Sequence, residues 1–190
     1  MNTTAAITGK AILASESEII AKAKSVKLLL LDVDGVLSDG KIYFSNDGEE
    51  IKSFNTLDGH GIKMLRKSGV EVGIITGRQS AIVEKRARDL GVHLLIQGRE
   101  DKFQALQEML NDFPCELDNI AFLGDDYPDL TVMTRVGLSL SVANAHREVS
   151  QRSHWQTAIK GGEGAVREAC DLIMQAQDSY HAALEPYIGE

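Results

Sequence analysis

The sequence predicts an α/β fold, a doubly wound, Rossmann-like parallel sheet. Leu28 to Leu31 form an uninterrupted apolar run, which is typical of a central strand covered on both faces. Downstream, short β-rich segments alternate with helical patterns, as in right-handed strand–helix–strand units. No internal repeat or low-complexity linker interrupts this alternation, so the 190 residues are expected to form one domain, 1–190.

The elements follow from local signals, taken in chain order. Ser15 and Glu18 have the spacing of a capping box, which predicts a helix from there to about Lys24. The first strand follows at about 27–32. The segment 41–54 has two β-rich arms around an Asn-Asp-Gly turn, which predicts a β-hairpin. Further helices are predicted at about 58–68, 80–90, 100–112, 126–134 and 163–177, and further strands at about 71–76, 93–96, 119–124 and 136–142.

Composition limits the classes of function. The net charge is −8 and no lysine or arginine cluster is present, so neither nucleic acid nor an anionic membrane is an expected partner. Cys115 and Cys170 lie far apart without a C-x-x-C pattern, which argues against a disulfide scaffold or a thiolate zinc site. The first 20 residues lack the basic and apolar regions of a signal peptide. We therefore expect a cytoplasmic protein.

Two carboxylates, Asp32 and Asp34, stand where the first strand gives way to a glycine turn. Ligands of open α/β sheets bind beyond the carboxyl ends of such strands. A carboxylate there can act as a nucleophile and form an acyl phosphate, and a second one can exchange protons with the leaving group. The pair therefore predicts a site for chemistry at this turn.

Three other interpretations of this turn compete. A calcium loop counted from Asp32 would need a ligand, a glycine and a glutamate where Val36, Leu37 and Tyr43 stand. A dinucleotide site would need a G-x-G-x-x-G motif after the strand, and none follows. An ordinary surface turn that uses Asp and Gly for their backbone preferences is compatible with this segment alone. The ends of the later strands argue against it.

Later strand ends carry further polar groups. Thr76, Gly77 and Arg78 offer a hydroxyl and backbone N–H groups to a phosphate oxygen, although such turns are more often simple connections. The segment 124–129 places three carboxylates before a helix, where N-capping explains at least one of them. The cluster suits Mg²⁺, which takes few carboxylates and keeps water and substrate oxygens. Lys102 begins a helix, where the dipole disfavours a cation, so it is a candidate functional residue.

Together these motifs resemble those of the haloacid-dehalogenase superfamily of phosphohydrolases. The matches are D-x-D-G-V at 32–36, T-G-R at 76–78, Lys102 and G-D-D-x-x-D at 124–129. Over nearly the whole chain, segments such as LDVDGVLSDG and GEEIKSFN are similar to the 3-deoxy-D-manno-octulosonate 8-phosphate (KDO 8-phosphate) phosphatase family. This resemblance implies a capless domain in which a hairpin flap at 41–54 replaces the cap. Residues 1–26 would form an N-terminal extension and residues 178–190 a C-terminal tail.

The resemblance also implies a role for each matched residue. Asp32 would attack phosphorus, and Asp34 would act as general acid and then as general base. Mg²⁺ would be bound by Asp32, the Asp34 carbonyl and Asp125. The remaining implied roles are phosphate binding by Thr76, Gly77 and Lys102, orientation of the ligands and Lys102 by Asp126 and Asp129, and recognition of the anionic substrate by Arg78 and Arg86. On its helix, Arg86 is equally compatible with a solvated surface position.

Two departures from the family pattern bear on the substrate. Arginines are expected at the positions of Leu57 and Glu163, and neither residue can bind a substrate carboxylate as an arginine does. Three hypotheses follow: hydrolysis of KDO 8-phosphate for lipopolysaccharide synthesis, hydrolysis of another sugar phosphate such as a nonulosonate 9-phosphate, or a noncatalytic assembly module. The resemblance further implies an Mg²⁺-dependent homotetramer. The apolar residues of the hairpin, Ile42, Phe44, Ile51 and Phe54, need a packing partner, either other subunits or their own domain.

Overall fold

The computed structural model describes residues 8–189, so residues 1–7 of the predicted extension and residue 190 of the predicted tail lie outside the described residues. The strands are β1 (Lys10–Ala11), β2 (Leu28–Leu31), β3 (Tyr43–Phe44), β4 (Glu50–Ile51), β5 (Glu71–Ile75), β6 (Leu94–Ile96), β7 (Ile120–Gly124), β8 (Leu138–Ser141) and β9 (Trp155–Gln156). Seven of them form one sheet in the order β1-β9-β8-β7-β2-β5-β6, and β3 and β4 form a separate hairpin.

Helices flank the sheet on both faces. They are α1 (Glu16–Lys24), α2 (Thr56–Lys67), α3 (Ala81–Leu90), α4 (Lys102–Asp112), α5 (Tyr127–Met133), α6 (Arg147–Ser150), α7 (Ala165–Ala176) and α8 (Tyr180–Ile188). All neighbouring strands of the large sheet are parallel except the β1–β9 pair at one edge. The predicted doubly wound α/β fold is therefore confirmed. Within residues 8–189, no helix has the length and apolar character needed to cross a membrane.

The core has two layers, one on each side of β2. Leu29 and Leu31 face a layer that contains α1, α2, α3 and α7. Leu28 and Leu30 face the layer of α4, α5 and α6. Because side chains alternate along a strand, a continuous leucine run is stable only where both faces are covered. This burial anchors the strand that ends at Asp32.

The sequence analysis missed four short or isolated elements: β1, α6, β9 and α8. β1 and β9 have only two residues each, too few for an alternating pattern to be recognised. α6 has four residues, less than a regular hydrophobic repeat. α8 contains Pro186 and buries none of its residues, so it carries little of the apolar periodicity that identifies a helix.

Candidate active site

Three adjacent strands bring the predicted polar groups to one edge of the sheet. β2 lies between β5 and β7, and Leu31 pairs with Ile74 on one side and with Leu123 on the other. The chain therefore leaves the sheet at Asp32, Thr76 and Asp125 at about the same level. Parallel strands explain this convergence, because their carboxyl ends share an edge.

The turn after β2 is held by backbone contacts. The Ser38 N–H donates to the Val33 carbonyl (2.9 Å), which closes a wide turn around Asp34. Gly35 has φ +104°, and a side chain there would collide with the Asp125 carboxylate. From the other side, the Gly162 N–H donates to the Val36 carbonyl (2.9 Å). A glycine at position 35 thus permits both the backbone conformation and the approach of Asp125.

Lys102 joins two buried carboxylates. Its Nζ lies 2.5 Å from Asp32 Oδ1 and 2.5 Å from Asp129 Oδ1, and the residue is 4% exposed. Removing one partner of such a buried set typically costs about 3–5 kcal/mol, since an uncompensated charge remains. The first turn of α4 disfavours a cation, and the two carboxylates explain why a lysine is stable there. The structure thus brings Lys102 and Asp32 together.

Asp129 is fully occupied by neighbouring groups. While Oδ1 accepts a hydrogen bond from Lys102, Oδ2 accepts from the backbone N–H groups of Asp125 (2.8 Å) and Asp126 (3.1 Å). Asp126 is exposed and caps α5, accepting a hydrogen bond from the Tyr127 N–H (2.8 Å). The geometry therefore places Asp129 where it orients Lys102 and the backbone at Asp125.

The carboxylates at this edge are suited to a cation. Oxygen atoms of Asp32, Asp125 and Asp129 lie within 4.8 Å of one another. Burial raises the pKa of Asp125 to about 8, and the negative charges of Asp32 and Asp129 act in the same direction. Burial also raises the pKa of Asp32, although Lys102 opposes this effect. Lys102 alone does not balance the three negative charges, and the all-oxygen donor set matches the preference of Mg²⁺.

The loop after β5 lies on the other side of Asp32. Thr76 is buried, and its Oγ1 accepts a hydrogen bond from the Arg78 N–H (3.4 Å). Gly77 is partly exposed, and a Cβ atom at this position would meet only the Glu100 side chain, at 3.8 Å. Arg78 Nε lies 3.7 Å from Asp34 Oδ2, so this arginine is near the predicted proton donor.

Two residues of the flap (41–54) also reach the site, and the sequence analysis did not identify them. Lys52 Nζ contacts Asp34 Oδ1, and Glu50 Oε1 accepts a hydrogen bond from Arg78 Nη2 (3.0 Å). Ile51, between them, is 56% exposed. Alternation along a β-strand places Glu50 and Lys52 on the face opposite to Ile51, and this pattern was readable in the sequence.

Arg86 has a different environment from Arg78. Its Nη2 donates to the Asn55 carbonyl at the start of α2 (3.2 Å), and its guanidinium lies 5.6 Å from the centre of the Phe54 ring. Its Nε is buried without a hydrogen-bond partner among residues 8–189. No hydrogen bond or ion pair within the described chain joins Arg86 to Asp32, Asp34 or Asp125.

The two positions that depart from the family pattern are exposed. Leu57 is 55% exposed and lines a cavity of about 210 Å³ together with Ile159 and Gly164. Glu163 is also exposed, and its N–H donates to the Lys160 carbonyl (3.1 Å). Both side chains can therefore be exchanged without disturbing the buried carboxylates.

The comparisons with known proteins agree with this geometry. The sequence pattern of haloacid dehalogenase-like hydrolases matches residues 91–168. The 3-deoxy-D-manno-octulosonate 8-phosphate phosphatase KdsC of Yersinia pestis is 49% identical over 87% of this chain and 89% of its own. This chain belongs to the family of 3-deoxy-D-manno-octulosonate 8-phosphate phosphatases. The corresponding enzyme of Escherichia coli (strain K12) is 49% identical over 85% of this chain and 86% of its own.

Solved structures of the family have the same fold. The phosphatase of Moraxella catarrhalis, in complex with a magnesium ion, a phosphate ion and a KDO molecule, superposes with a TM-score of 0.89 at 42% identity. The match covers 91% of this chain and 99% of that one. The Yersinia pestis enzyme superposes with a TM-score of 0.85, covering 86% and 89% of the two chains. The structural similarity therefore covers most of this chain.

Proposed function

We propose that this protein is a phosphoric monoester hydrolase that converts KDO 8-phosphate to KDO and phosphate. The observation that carries the proposal is the buried Asp32–Lys102–Asp129 group beside Asp125, at the carboxyl edge of the sheet. The names of the relatives, at 49% identity over most of the chain, support this substrate. The reaction would belong to lipopolysaccharide synthesis.

In the first step, a carboxylate oxygen of Asp32 attacks phosphorus and the bond from phosphorus to the sugar oxygen breaks. Asp34 gives its proton to the departing sugar oxygen, which leaves as an alcohol. Lys102 holds Asp32 in place and places a positive charge beside the phosphoryl oxygens. Thr76 and Gly77 would bind the remaining oxygens through a hydroxyl and a backbone N–H.

In the second step, Asp34 takes a proton from water, and the water oxygen attacks phosphorus. The bond between phosphorus and the Asp32 oxygen breaks, which releases phosphate and restores both carboxyl groups. Asp34 alternates between its two protonation states in each cycle, so the site needs no external acid. Asp129 takes no part in bond making and keeps Lys102 and the backbone at Asp125 oriented, while Asp126 caps the helix that carries Asp129.

Magnesium fits the acidic edge of this site. Asp32, the Asp34 carbonyl and Asp125 would hold the ion, which neutralises phosphoryl charge and aligns the group for in-line attack. None of the hydrogen bonds formed within residues 8–189 engages the Asp125 carboxylate, so its oxygens are available as ligands. The magnesium and phosphate ions bound to the Moraxella catarrhalis relative support the same assignment.

A second candidate is a phosphatase for another sugar phosphate, such as a nonulosonate 9-phosphate. The exposed Leu57 and Glu163 support this candidate, because neither residue is a cation that could bind the carboxylate of KDO 8-phosphate. Arg78, which is 44% exposed, is the cation best placed to meet an anionic sugar; for Arg86, contacts with Asn55 and Phe54 support a packing role. The buried group of Asp32, Lys102 and Asp129 does not support the noncatalytic alternative.

A phosphate-release screen tests this proposal. Purified protein is incubated with KDO 8-phosphate, a nonulosonate 9-phosphate and glucose 6-phosphate, with Mg²⁺ or with excess chelator. We expect the highest kcat/KM for KDO 8-phosphate and no release in chelator. A preference for the nonulosonate phosphate would establish the second candidate, and no release from any sugar phosphate would leave the noncatalytic one.

We further propose that the protein is a cytoplasmic homotetramer, in which one catalytic domain (1–190) carries the flap. Ile42, Phe44 and Ile51 are 50%, 63% and 56% exposed, whereas Phe54 packs against the protein's own core. An exposed apolar ribbon of this kind is typical of a surface covered by other subunits. Sedimentation of an active monomer at micromolar concentration would contradict the tetramer.

A further inference from the structure

The flap has two chemically different faces. Ile51 pairs with Tyr43, and both are exposed on its outer face, whereas Glu50 and Lys52 lie on the other face and contact the loop after β5 and the catalytic turn. The Lys52 side chain is 2% exposed, although it belongs to a hairpin with only two residues in each strand. Lysine is almost never buried without a partner, so a polar or charged group is expected to pair with Lys52.

The partner of Lys52 is the predicted general acid. Its Nζ contacts Asp34 Oδ1 and lies 3.4 Å from Glu50 Oε1. The second oxygen, Asp34 Oδ2, has Arg78 Nε at 3.7 Å, which is too long for a hydrogen bond. Among residues 8–189, Lys52 is therefore the only side chain that hydrogen-bonds the Asp34 carboxylate.

Attachment of the flap is carried by another residue. Glu50 accepts hydrogen bonds from Arg78 Nη2 (3.0 Å) and from Ser80 Oγ (2.8 Å), both in the loop after β5. These contacts join the flap to the domain without involving Asp34. Lys52 has a distinct effect, because it fixes the direction of one carboxylate in the active site.

We propose that Lys52 is a positioning residue for Asp34, supplied by the flap of the same chain. By holding Oδ1, Lys52 directs Oδ2 toward the leaving-group oxygen, and Oδ2 is the atom that gives and later accepts the proton. The inference rests on the proposed phosphatase function. It extends that function to a residue that contacts neither phosphorus nor Lys102. A correctly oriented acid accelerates the departure of a poor leaving group, whereas a good leaving group needs no proton.

The test compares two substrates in two lysine variants. Lys52→Met preserves side-chain length and removes the ammonium, and Lys41→Met is the matched control in the same flap, at a lysine whose side chain is 72% exposed. We expect Lys52→Met to lower kcat on KDO 8-phosphate at least tenfold, with p-nitrophenyl phosphate changed less than about threefold. Lys41→Met should leave both rates near wild type.

Three further variants separate positioning from attachment or misfolding. Lys52→Arg, which keeps the charge, should recover part of the lost rate. Ser80→Ala removes one hydrogen bond that attaches Glu50 while leaving the Lys52–Glu50 ion pair in place, and it should affect both substrates to a similar extent. In an Asp34→Asn background, Lys52→Met should add less than about threefold, since the residue it positions is already disabled.

Several results would overturn the inference: an equal loss on both substrates, no loss on either, or the same selective loss in Ser80→Ala. If Lys52→Met does not fold, the ratio of the two substrates in Lys52→Arg and Lys52→Gln decides in the same way. Failure of the proposed function is a separate result, because it would appear as a lack of phosphate release by the wild-type protein. If wild type prefers another sugar phosphate, that substrate replaces KDO 8-phosphate in the comparison.

Discussion

The phosphoryl centre and the flap are built in different ways. Lys102 and Asp129, at the centre, are 4% and 1% exposed and joined by hydrogen bonds, whereas Phe44 and Ile51 of the flap are 63% and 56% exposed. Strand pairing and two core layers hold the centre in place. The described contacts that hold the inner face of the flap are polar.

This difference indicates that the buried centre carries the chemistry and that the exposed rim carries substrate recognition. The buried group of Asp32, Lys102 and Asp129 tolerates few substitutions, because removing one partner leaves an uncompensated charge. Exposed positions such as Leu57 and Glu163 can change without that cost, and so can the outer face of the flap. We therefore expect substitutions at the centre to remove catalysis and substitutions at the rim to alter selectivity.

The largest effect is expected at Asp32, the proposed nucleophile. Asp32→Asn should reduce turnover below detection, because an amide cannot form the acyl phosphate. The control is Asp112→Asn at the exposed end of α4, which should leave turnover unchanged. Steady-state phosphate release measures both. Near-normal activity of Asp32→Asn would show that the centre is not catalytic.

The second-largest effect is expected at Asp125, the proposed metal ligand. Asp125→Ala should raise the Mg²⁺ concentration needed for half-maximal activity at least tenfold, since it removes one of few protein ligands. Magnesium titration of activity and calorimetric Mg²⁺ binding both report this change. Full activity of the wild-type protein in excess chelator would contradict the metal assignment.

A smaller and more selective effect is expected at the rim. Leu57→Arg should increase the preference for KDO 8-phosphate over a sugar phosphate without a carboxylate by about tenfold, because a charge-assisted hydrogen bond is typically worth about 1.5–3 kcal/mol. The ratio of the two kcat/KM values is the measurement. An unchanged ratio would mean that position 57 does not contact the carboxylate and would shift attention to Arg78.

The smallest effect concerns stability. Asp58 lies at the start of α2, where one oxygen accepts a hydrogen bond from the Arg167 N–H (2.8 Å) and Oδ2 is buried without a partner among residues 8–189. Burial raises the pKa of Asp58 to about 6. The folded protein thus binds a proton here at a higher pH than the unfolded chain, where an Asp pKa is about 3.9. This group therefore favours folding increasingly as the pH falls from 7 to 4.

Asp58→Asn removes this titration while keeping an acceptor for the Arg167 N–H. The variant should gain about 1–2 kcal/mol in unfolding free energy relative to wild type at pH 7, and this gain should disappear by about pH 4. Urea unfolding at several pH values measures the difference. A difference independent of pH would show that the carboxylate is not strained by burial.

Most of the fold could be predicted because its signals are local. The leucine run of β2 and the capping box of α1 each follow from a few neighbouring residues. The flap strands could be located from their turn, although only two residues pair on each side. By contrast, β9 forms by pairing with β8 and β1, and such long-range pairing leaves little trace in two residues.

The site was predictable to the extent that strand ends determine it. Asp32, Thr76 and Asp125 follow adjacent strands, so their convergence was implied by the sheet. The hydrogen bonds of Asp129 to two backbone N–H groups and of Arg86 to the Asn55 carbonyl depend on side-chain orientation, which sequence spacing does not specify. The apolar residues of the flap predicted a hairpin, but its alternation alone does not show that Lys52 contacts Asp34.

The central claim, that Asp32 becomes phosphorylated, has one direct test. The Asp34→Asn variant, which lacks the base of the second step, is mixed with Mg²⁺ and p-nitrophenyl phosphate, whose leaving group needs no proton in the first step. The mixture is then treated with borohydride, which reduces an acyl phosphate to an alcohol. Peptide mass spectrometry then examines position 32. We predict homoserine at position 32, dependent on substrate and absent after chelation. Unmodified Asp32 in a variant that still turns over, or reduction at another carboxylate, would contradict the account.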